Sequence, residues 1–370
     1  MNTPAWYQLE NTDDIVTPAL LLYPERIEKN IQLMVDMIGD VKRLRPHIKT
    51  HKTKEIINMQ MTYGIQKYKC ATIAEAELLG QCGAKDILLA IQPVGTNIGR
   101  FFELIAQFPD STFSTIVDNV GIITQISEMA SSKKISVPLF IDLNTGMNRT
   151  GIAPNKHAAE LCQLITEDSN LIFRGLHAYD GHIRDTNIED RKKVCDAAFD
   201  LVSDFKTRIE KAGITVETIV MGGSPTFPIH AQRKDVETSP GTTLLWDERY
   251  GNSFKDMKFF HAAVLLTRVI SKPTSNVICL DLGHKSIAPE MDFPRVRIFG
   301  LEGCEQIGQS EEHLVLSCPS GMTVEVGDLY YAIPMHICPT VAKYPKTFIV
   351  TQGKITDSWK VAARDYSLSI

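Results

Sequence analysis

Arg45-Pro-His-Ile-Lys-Thr-His-Lys52 crowds the cations Arg45, Lys49 and Lys52 with the imidazoles of His47 and His51. Val41–Leu44 leads into it, and Pro46 argues against a helix, because its ring removes an amide donor and clashes with the preceding turn. The segment reads as a short buried strand ending near Ile48, then a loop, then a helix from about Thr53. Lys49 then stands at the C-terminal end of a strand. Like charges and partial burial both disfavour an ammonium in such a place. A neutral amine is what attacks a carbonyl to form a Schiff base. A solvated basic loop would carry the same letters, so the rest of the chain must decide between the two readings.

Outward from this stretch, short apolar runs alternate with amphipathic helical patterns. The runs are Leu44–Ile48, Tyr68–Ala71, Ile87–Ala90, Phe113–Val117, Val137–Leu143, Ile172–Leu176, Thr218–Met221 and Asp235–Thr238. Helices are expected at Lys54–Met61, Ile73–Cys82, Gly99–Phe108, Val120–Ala130, Asn155–Ile165 and Asn187–Ala212. Eight strands closed by helices make a parallel barrel. An open doubly wound sheet is the alternative, but it usually carries a glycine-rich turn after its first strand, where this chain has Lys49. Upstream, Thr17–Tyr23 reads as a strand, and Pro24 opens a helix that ends at Gly39. After about Arg249 the helical patterns fade. Ala262–Ile270, Val277–Leu282, Arg295–Phe299, Leu314–Ser317, Tyr330–Ile333, Thr347–Thr351 and Lys354–Ala362 read as strands, with a hairpin turn at Gln352–Gly353. The expected fold is α/β: a parallel (β/α)8 barrel over residues 25–248 and a β domain from residues 1–24 plus 249–370.

The 370 residues are 44% hydrophobic and 22% charged, which is ordinary globular composition. A net charge of -5 implies no general affinity for nucleic acid or anionic membranes. No apolar run reaches membrane-spanning length, and Met1–Asp14 is polar and acidic, unlike a secretory leader. The eight cysteines are scattered with no CxxC pair, so they read as reduced thiols of a cytoplasmic protein.

Chemistry in a barrel gathers where strands end. After the fifth run, Asp142-Leu-Asn-Thr-Gly-Met-Asn-Arg149 is a loop carrying an arginine. After the sixth, His177-Ala-Tyr179-Asp-Gly181-His182 supplies two imidazoles and a ring that can stack on a flat heterocycle. Gly222-Gly223-Ser224-Pro-Thr226 and Ser239-Pro-Gly241-Thr242-Thr243 follow the seventh and eighth runs, where barrels often bind phosphate. A reactive lysine, a stacking tyrosine and a phosphate cradle are the handles that pyridoxal 5'-phosphate needs. In the β domain, His336-Ile-Cys338 would place imidazole and thiolate on one face of an extended segment, a pair suited to a soft divalent ion. His284 is a weaker candidate for the same group.

The motifs Arg45–Lys52, Gly222–Thr226 and His336-Ile-Cys338 together resemble the D-threonine aldolase and D-serine dehydratase family of pyridoxal-phosphate enzymes, which have the alanine-racemase fold. The resemblance spans about Thr17 to Arg364. It implies a head-to-tail homodimer acting on a small D-amino acid. It implies that Lys49 holds the cofactor, with Arg149 near the cofactor's phenolic oxygen and Tyr179 beside its ring. Gly223, Ser224, Gly241 and Thr242 match the phosphate loops, and His336 and Cys338 match the ligands of a divalent metal (Zn, Mn or Mg). Two reactions occur in the family: retro-aldol cleavage of a β-hydroxy-D-amino acid to glycine and an aldehyde, and β-elimination of water to a 2-oxo acid and ammonia. The general pattern places the chain nearer the aldolases, with His182 as the candidate base. The His-x-Cys pair is the dehydratase form, so a D-serine or D-3-hydroxyaspartate dehydratase is the alternative. A racemase of the same fold is third, and Tyr330 and Tyr331 give no clear match to its second base.

Overall fold

The computed structural model describes residues 5–370. Residues 1–4, part of the stretch assigned to the β domain, lie outside the described residues. In chain order the strands are β1 (Ala19–Leu22), β2 (Lys67–Cys70), β3 (Asp86–Leu89), β4 (Thr112–Val117), β5 (Val137–Asp142), β6 (Leu171–Ala178), β7 (Thr218–Met221) and β8 (Val236–Thr238), then β9 (Ala263–Thr274), β10 (Val277–Leu280), β11 (Val296–Ile298), β12 (Glu305–Gln309), β13 (Leu314–Ser317), β14 (Leu329–Pro334), β15 (Lys346–Thr351) and β16 (Lys354–Lys360). The chain divides into two compact units. One holds Met34–Lys49, Ile57–Gly241 and Asp365–Ile370, and the other holds the described residues up to Leu33, Thr50–Ile56 and Thr242–Arg364.

The first unit is a parallel sheet in the order β2-β3-β4-β5-β6-β7-β8. Its helices begin where side chains can satisfy the free amides of a first turn. Thr72, Asn119, Asn155 and Asn187 all cap in this way. The sheet curls until its ends meet through the segment expected as the first barrel strand. Leu44 bridges Thr238 of β8, and His47 bridges Lys69 of β2, both in parallel. The Arg45 and His47 amides donate to Thr238 and Pro240, and the Lys69 amide donates to the Pro46 carbonyl. The regular strand expected over Leu44–Ile48 is absent. Pro46 offers no amide, and 3-10 turns at Val41–Arg43 and Ile48–Thr50 flank the bridges. The segment is a stave of the barrel without being a ladder.

Side chains along each strand alternate between the barrel interior and the helices. Leu88, Ile116, Phe140 and Val220 form one interior cluster. Arg45 is fully buried, and its guanidinium meets Asp86 at 2.7 Å and Glu237 at 2.7 Å. Lys67 also pairs with Glu237, and Arg174 reaches Asp86 at 3.7 Å. Arg45 is therefore a structural ion-pair residue rather than a neighbour that tunes Lys49.

The second unit is a mixed sheet in the order β12-β13-β10-β9-β1-β15-β16, with β14 joining β9 to β11. The early strand β1 runs antiparallel to β9 and parallel to β15. Leu21, Tyr23, Val264, Leu266 and Val350 bury one face of it. Gln352 and Gly353 both take positive φ, the conformation a tight hairpin turn requires. Two expectations are corrected here. His336 and Cys338 do not share an extended segment: His336 is extended, but Ile337–Val341 turns into a short helix. The cysteines are not all reduced either, because Cys304 and Cys318 form a disulfide across the ends of the β12/β13 hairpin. Glu305 pairs with Ser317, so the two flanking cysteines are brought together by strand register.

Candidate active site

A cavity of about 500 Å³ opens at the C-terminal ends of the barrel strands. It is bounded by Lys49 from the proline-containing stave, Lys69 from β2, Asp142 and His177 from the ends of β5 and β6, and Arg149 and Tyr179 from the loops after those strands. Tyr179 is its hub. Lys49 Nζ lies 5.3 Å from the centre of the tyrosine ring, Lys69 Nζ 5.4 Å, and the Arg149 guanidinium carbon 5.0 Å. The Lys49 amide donates to His47 Nδ1 at 3.3 Å, which ties the lysine's backbone to the stave. Lys49, Arg149 and Tyr179, nominated separately from sequence, meet at one cavity.

Tyr179 is held by close backbone approach. A Cβ on Gly181 would sit 2.4 Å from its ring, and one on Gly223 would sit 3.1 Å away. Gly222 takes φ +88 in the turn after β7. The Gly223 amide donates to Thr226 Oγ1 at 3.1 Å, and Thr226 Oγ1 donates to Asp180 at 3.0 Å. Asp180 also accepts from His230 Nε2 at 2.7 Å, and Arg233 donates to His230 Nδ1 at 2.8 Å. Asp180, Cys195 and His230 bring three ligand-type atoms within 4.8 Å of one another. Two of the three are already engaged with protein partners, so this cluster reads as a buried clamp on the loop. The Gly241 amide donates to Ser224 Oγ at 3.1 Å. The hydroxyls of Thr238 and Ser239 are buried without a protein partner, which is what an absent polar group leaves behind.

Sequence reading missed a buried relay. Lys69 Nζ lies 3.2 Å from His177 Nε2, and His177 Nδ1 lies 2.7 Å from Asp142. Burial, and then the charge of Lys49, lower the Lys69 ammonium to a pKa of about 7. Burial, reinforced by Lys69, also lowers His177. The spacing shows only that Lys67 and Lys69 share one face of β2, not that the face is turned inward. His182 is exposed, packs against Gly146, and is not among the residues that bound the cavity.

In the second unit, the His336 imidazole and the Cys338 thiol lie close enough to interact electrostatically. Burial opposes charge on both. The interaction with the oppositely charged partner outweighs it, raising His336 to about 9 and lowering the Cys338 thiol. Thr50 Oγ1 and Thr242 Oγ1 lie 3.2 and 3.4 Å from the sulfur. Thr242, nominated for phosphate, thus directs its side chain to Cys338. Glu290 meets His336 Nδ1 at 2.6 Å, and Asp247 accepts from the Ile337 amide at 3.2 Å. Glu290 is the acidic neighbour that the sequence did not single out. His284 donates its amide to Ser310. His51, expected near Lys49, is buried with its Nδ1 accepting from the Thr53 amide, and burial lowers its pKa to about 3.

The family described as alanine racemase, N-terminal domain, matches residues 23–248, and a serine dehydratase domain matches residues 262–350. The chain is 27% identical to a D-threonine aldolase of an Arthrobacter species over 358 residues, covering 95% of this chain and 93% of that relative. It is 22% identical to a D-threo-3-hydroxyaspartate dehydratase of Delftia sp. (strain HT23), covering 93% and 96% of the two chains. The crystal structure of D-threonine aldolase from Filomicrobium marinum is similar throughout, with a TM-score of 0.86 at 26% identity, over 95% of this chain and 96% of that one.

Proposed function

The chain belongs to the alanine racemase N-terminal-domain family, with a serine dehydratase domain after the barrel in sequence, and we propose that it is a D-threonine aldolase-like lyase that cleaves a β-hydroxy-D-amino acid to glycine and an aldehyde. The observation that carries this reading is the meeting of Lys49, Arg149 and Tyr179 at one cavity, combined with similarity to a named aldolase along nearly the whole chain.

The residues fit pyridoxal 5'-phosphate. The cavity admits a flat ring beside Tyr179, and Lys49 Nζ stands free of any ion pair with a carboxylate among the described residues. Unpartnered hydroxyls on Thr238 and Ser239 and the close-packed glycines of the 222–223 turn suit a phosphate. Lys49 would hold the cofactor covalently. Arg149, Tyr179, Gly223, Ser224 and Gly241 would orient it, with the Thr242 backbone following Gly241 in the chain. When bound, the cofactor supplies a sink for the electron pair left on the substrate's α-carbon. Tyr179 would shield a bound ring from water, and the clamp on Thr226 fixes the loop that carries Gly223 and Ser224. His336 and Cys338 form a nitrogen and sulfur donor pair suited to a divalent ion, and such an ion supplies Lewis acidity. We take the assembly to be a homodimer located in the cytoplasm; light scattering and cell fractionation test these two points.

A dehydratase is the second reading, favoured by Cys338 in the His-x-Cys pair, which is the dehydratase form of that motif. Product analysis separates the two. With D-threonine, glycine and acetaldehyde are expected. Release of 2-oxobutanoate and ammonia would instead assign the dehydratase. Lys49→Ala is expected to lose both the cofactor's visible absorbance and product, and a chelator is expected to abolish turnover until a divalent ion is restored.

A further inference from the structure

We propose that Lys69 is a second catalytic amine of this cavity, the base that takes the proton from the substrate hydroxyl; this rests on the aldolase reading above. Three observations converge. Lys69 lines the cavity, and its Nζ is as close to the Tyr179 ring as that of Lys49, 5.4 against 5.3 Å. Its 2% exposure, with no carboxylate in contact among the described residues, makes it an unusual occupant of a barrel interior, which branched apolar side chains normally fill. Its neighbour is an oriented imidazole: Asp142 accepts from His177 Nδ1–H, which leaves His177 Nε2 as an acceptor for the amine.

The groups that face Lys69 set its protonation. Lys49 and Arg45 oppose its charge, while Asp142 and Asp180 favour it, and burial outweighs them all. His177 contacts it directly and is itself biased towards the neutral form. The amine therefore carries a free electron pair in a large share of molecules at neutral pH, with its pKa at about 7. His182 packs against Gly146 and does not line the cavity, whereas Lys69 does, so the role of base passes to the lysine.

The proton and electron pairs balance. Lys69 Nζ accepts the hydroxyl proton, and the O–H electron pair becomes the second bond of the aldehyde carbonyl. The Cα–Cβ bond breaks and leaves its pair on Cα. A proton delivered to Cα then completes glycine, so one proton leaves oxygen and one arrives at carbon.

The test uses the holoenzyme. Lys69→Met is expected to keep the cofactor's visible absorbance, to lower kcat by about 100-fold or more with KM within about threefold, and to lose the acid limb of the kcat profile near pH 7. A second readout needs no substrate. Acetylation of Lys69 across pH 5 to 10, followed by peptide mass spectrometry, is expected to show a midpoint well below that of a surface lysine, because burial is the largest cause of the shift, and His177→Asn is expected to move it. The proposal is overturned if Lys69→Met retains kcat within about threefold, if Lys69 acetylates with a surface-like midpoint above about pH 9, or if His177→Asn leaves the midpoint unmoved. A native enzyme that yields no glycine from D-threonine overturns the functional reading, whereas glycine formed equally fast by Lys69→Met overturns only the role of Lys69.

Discussion

The place of Lys49 at the cavity was legible from its position after the first apolar run, where barrel chemistry gathers, with Pro46 arguing only against a helix through the segment. Lys69 was not, because Lys-Tyr-Lys-Cys reads as a strand with its lysines in water. Closure of the sheet turns that face inward. Burying an amine without a carboxylate in contact costs stability, and the cost has a pH signature. The folded pKa of about 7 lies below the ordinary value of 10.5. Below about pH 7 both folded and unfolded states carry the charge, and the penalty is complete. Between 7 and 10.5 the unfolded chain binds the extra proton, so stability falls with acidification towards 7 and rises with pH as the penalty is relieved. Lys69→Met is accordingly expected to raise stability in urea by about 2 kcal/mol at pH 7, with the gain shrinking towards pH 10. A gain that is the same at both pH values would show that the lysine is not held against its charge.

At the scale of elements, the alternation of strands and helices was readable because apolar runs and caps repeat, and the structure places strands at seven of the eight nominated runs. The exception is Leu44–Ile48. Its side chains behave as a strand's would, but its hydrogen bonds are too few to make a ladder, a distinction that apolar letters do not encode. Its first basic residue also does different work. Although burial opposes its charge, Arg45 is held fully ionised by Glu237 and Asp86. Burial opposes the charge of Asp86 as well, pushing its pKa up, but Arg45 chiefly keeps it below the usual carboxylate range. Removing the guanidinium would leave Glu237 with Lys67 alone and Asp86 with the more distant Arg174, so Arg45→Met is expected to destabilise the protein by about 3 kcal/mol, read as a lower urea midpoint. The short helix Ile337–Val341 was missed for a related reason, since a five-residue turn has no period to read.

For the whole molecule, the change of rhythm near Arg249 announced a second structural regime, and the chain beyond it builds a mixed sheet. Sequence could not show that β1, near the start of the chain, lies between β9 and β15, because pairing at that separation leaves no local mark. Nor could it pair the cysteines, which only the register of β12 with β13 aligns. Among the described residues, no helix is long and apolar enough to cross a membrane. Cysteine state gives a direct check: denatured, unreduced protein is expected to titrate six free thiols, those of Cys70, Cys82, Cys162, Cys195, Cys279 and Cys338. Eight would mean that the hairpin is open in the purified protein.

The stave that closes the barrel has a further consequence for how the fold breathes. A ring of strands opens first at its poorest joint, and here the joint contains a proline and is held by the amides of Arg45, His47 and Lys69. These amides should trade hydrogen for deuterium earlier than those within β3 to β6. A group bound at Lys49 sits two residues from His47, so filling the cavity should slow that trade and act as a stitch across the seam.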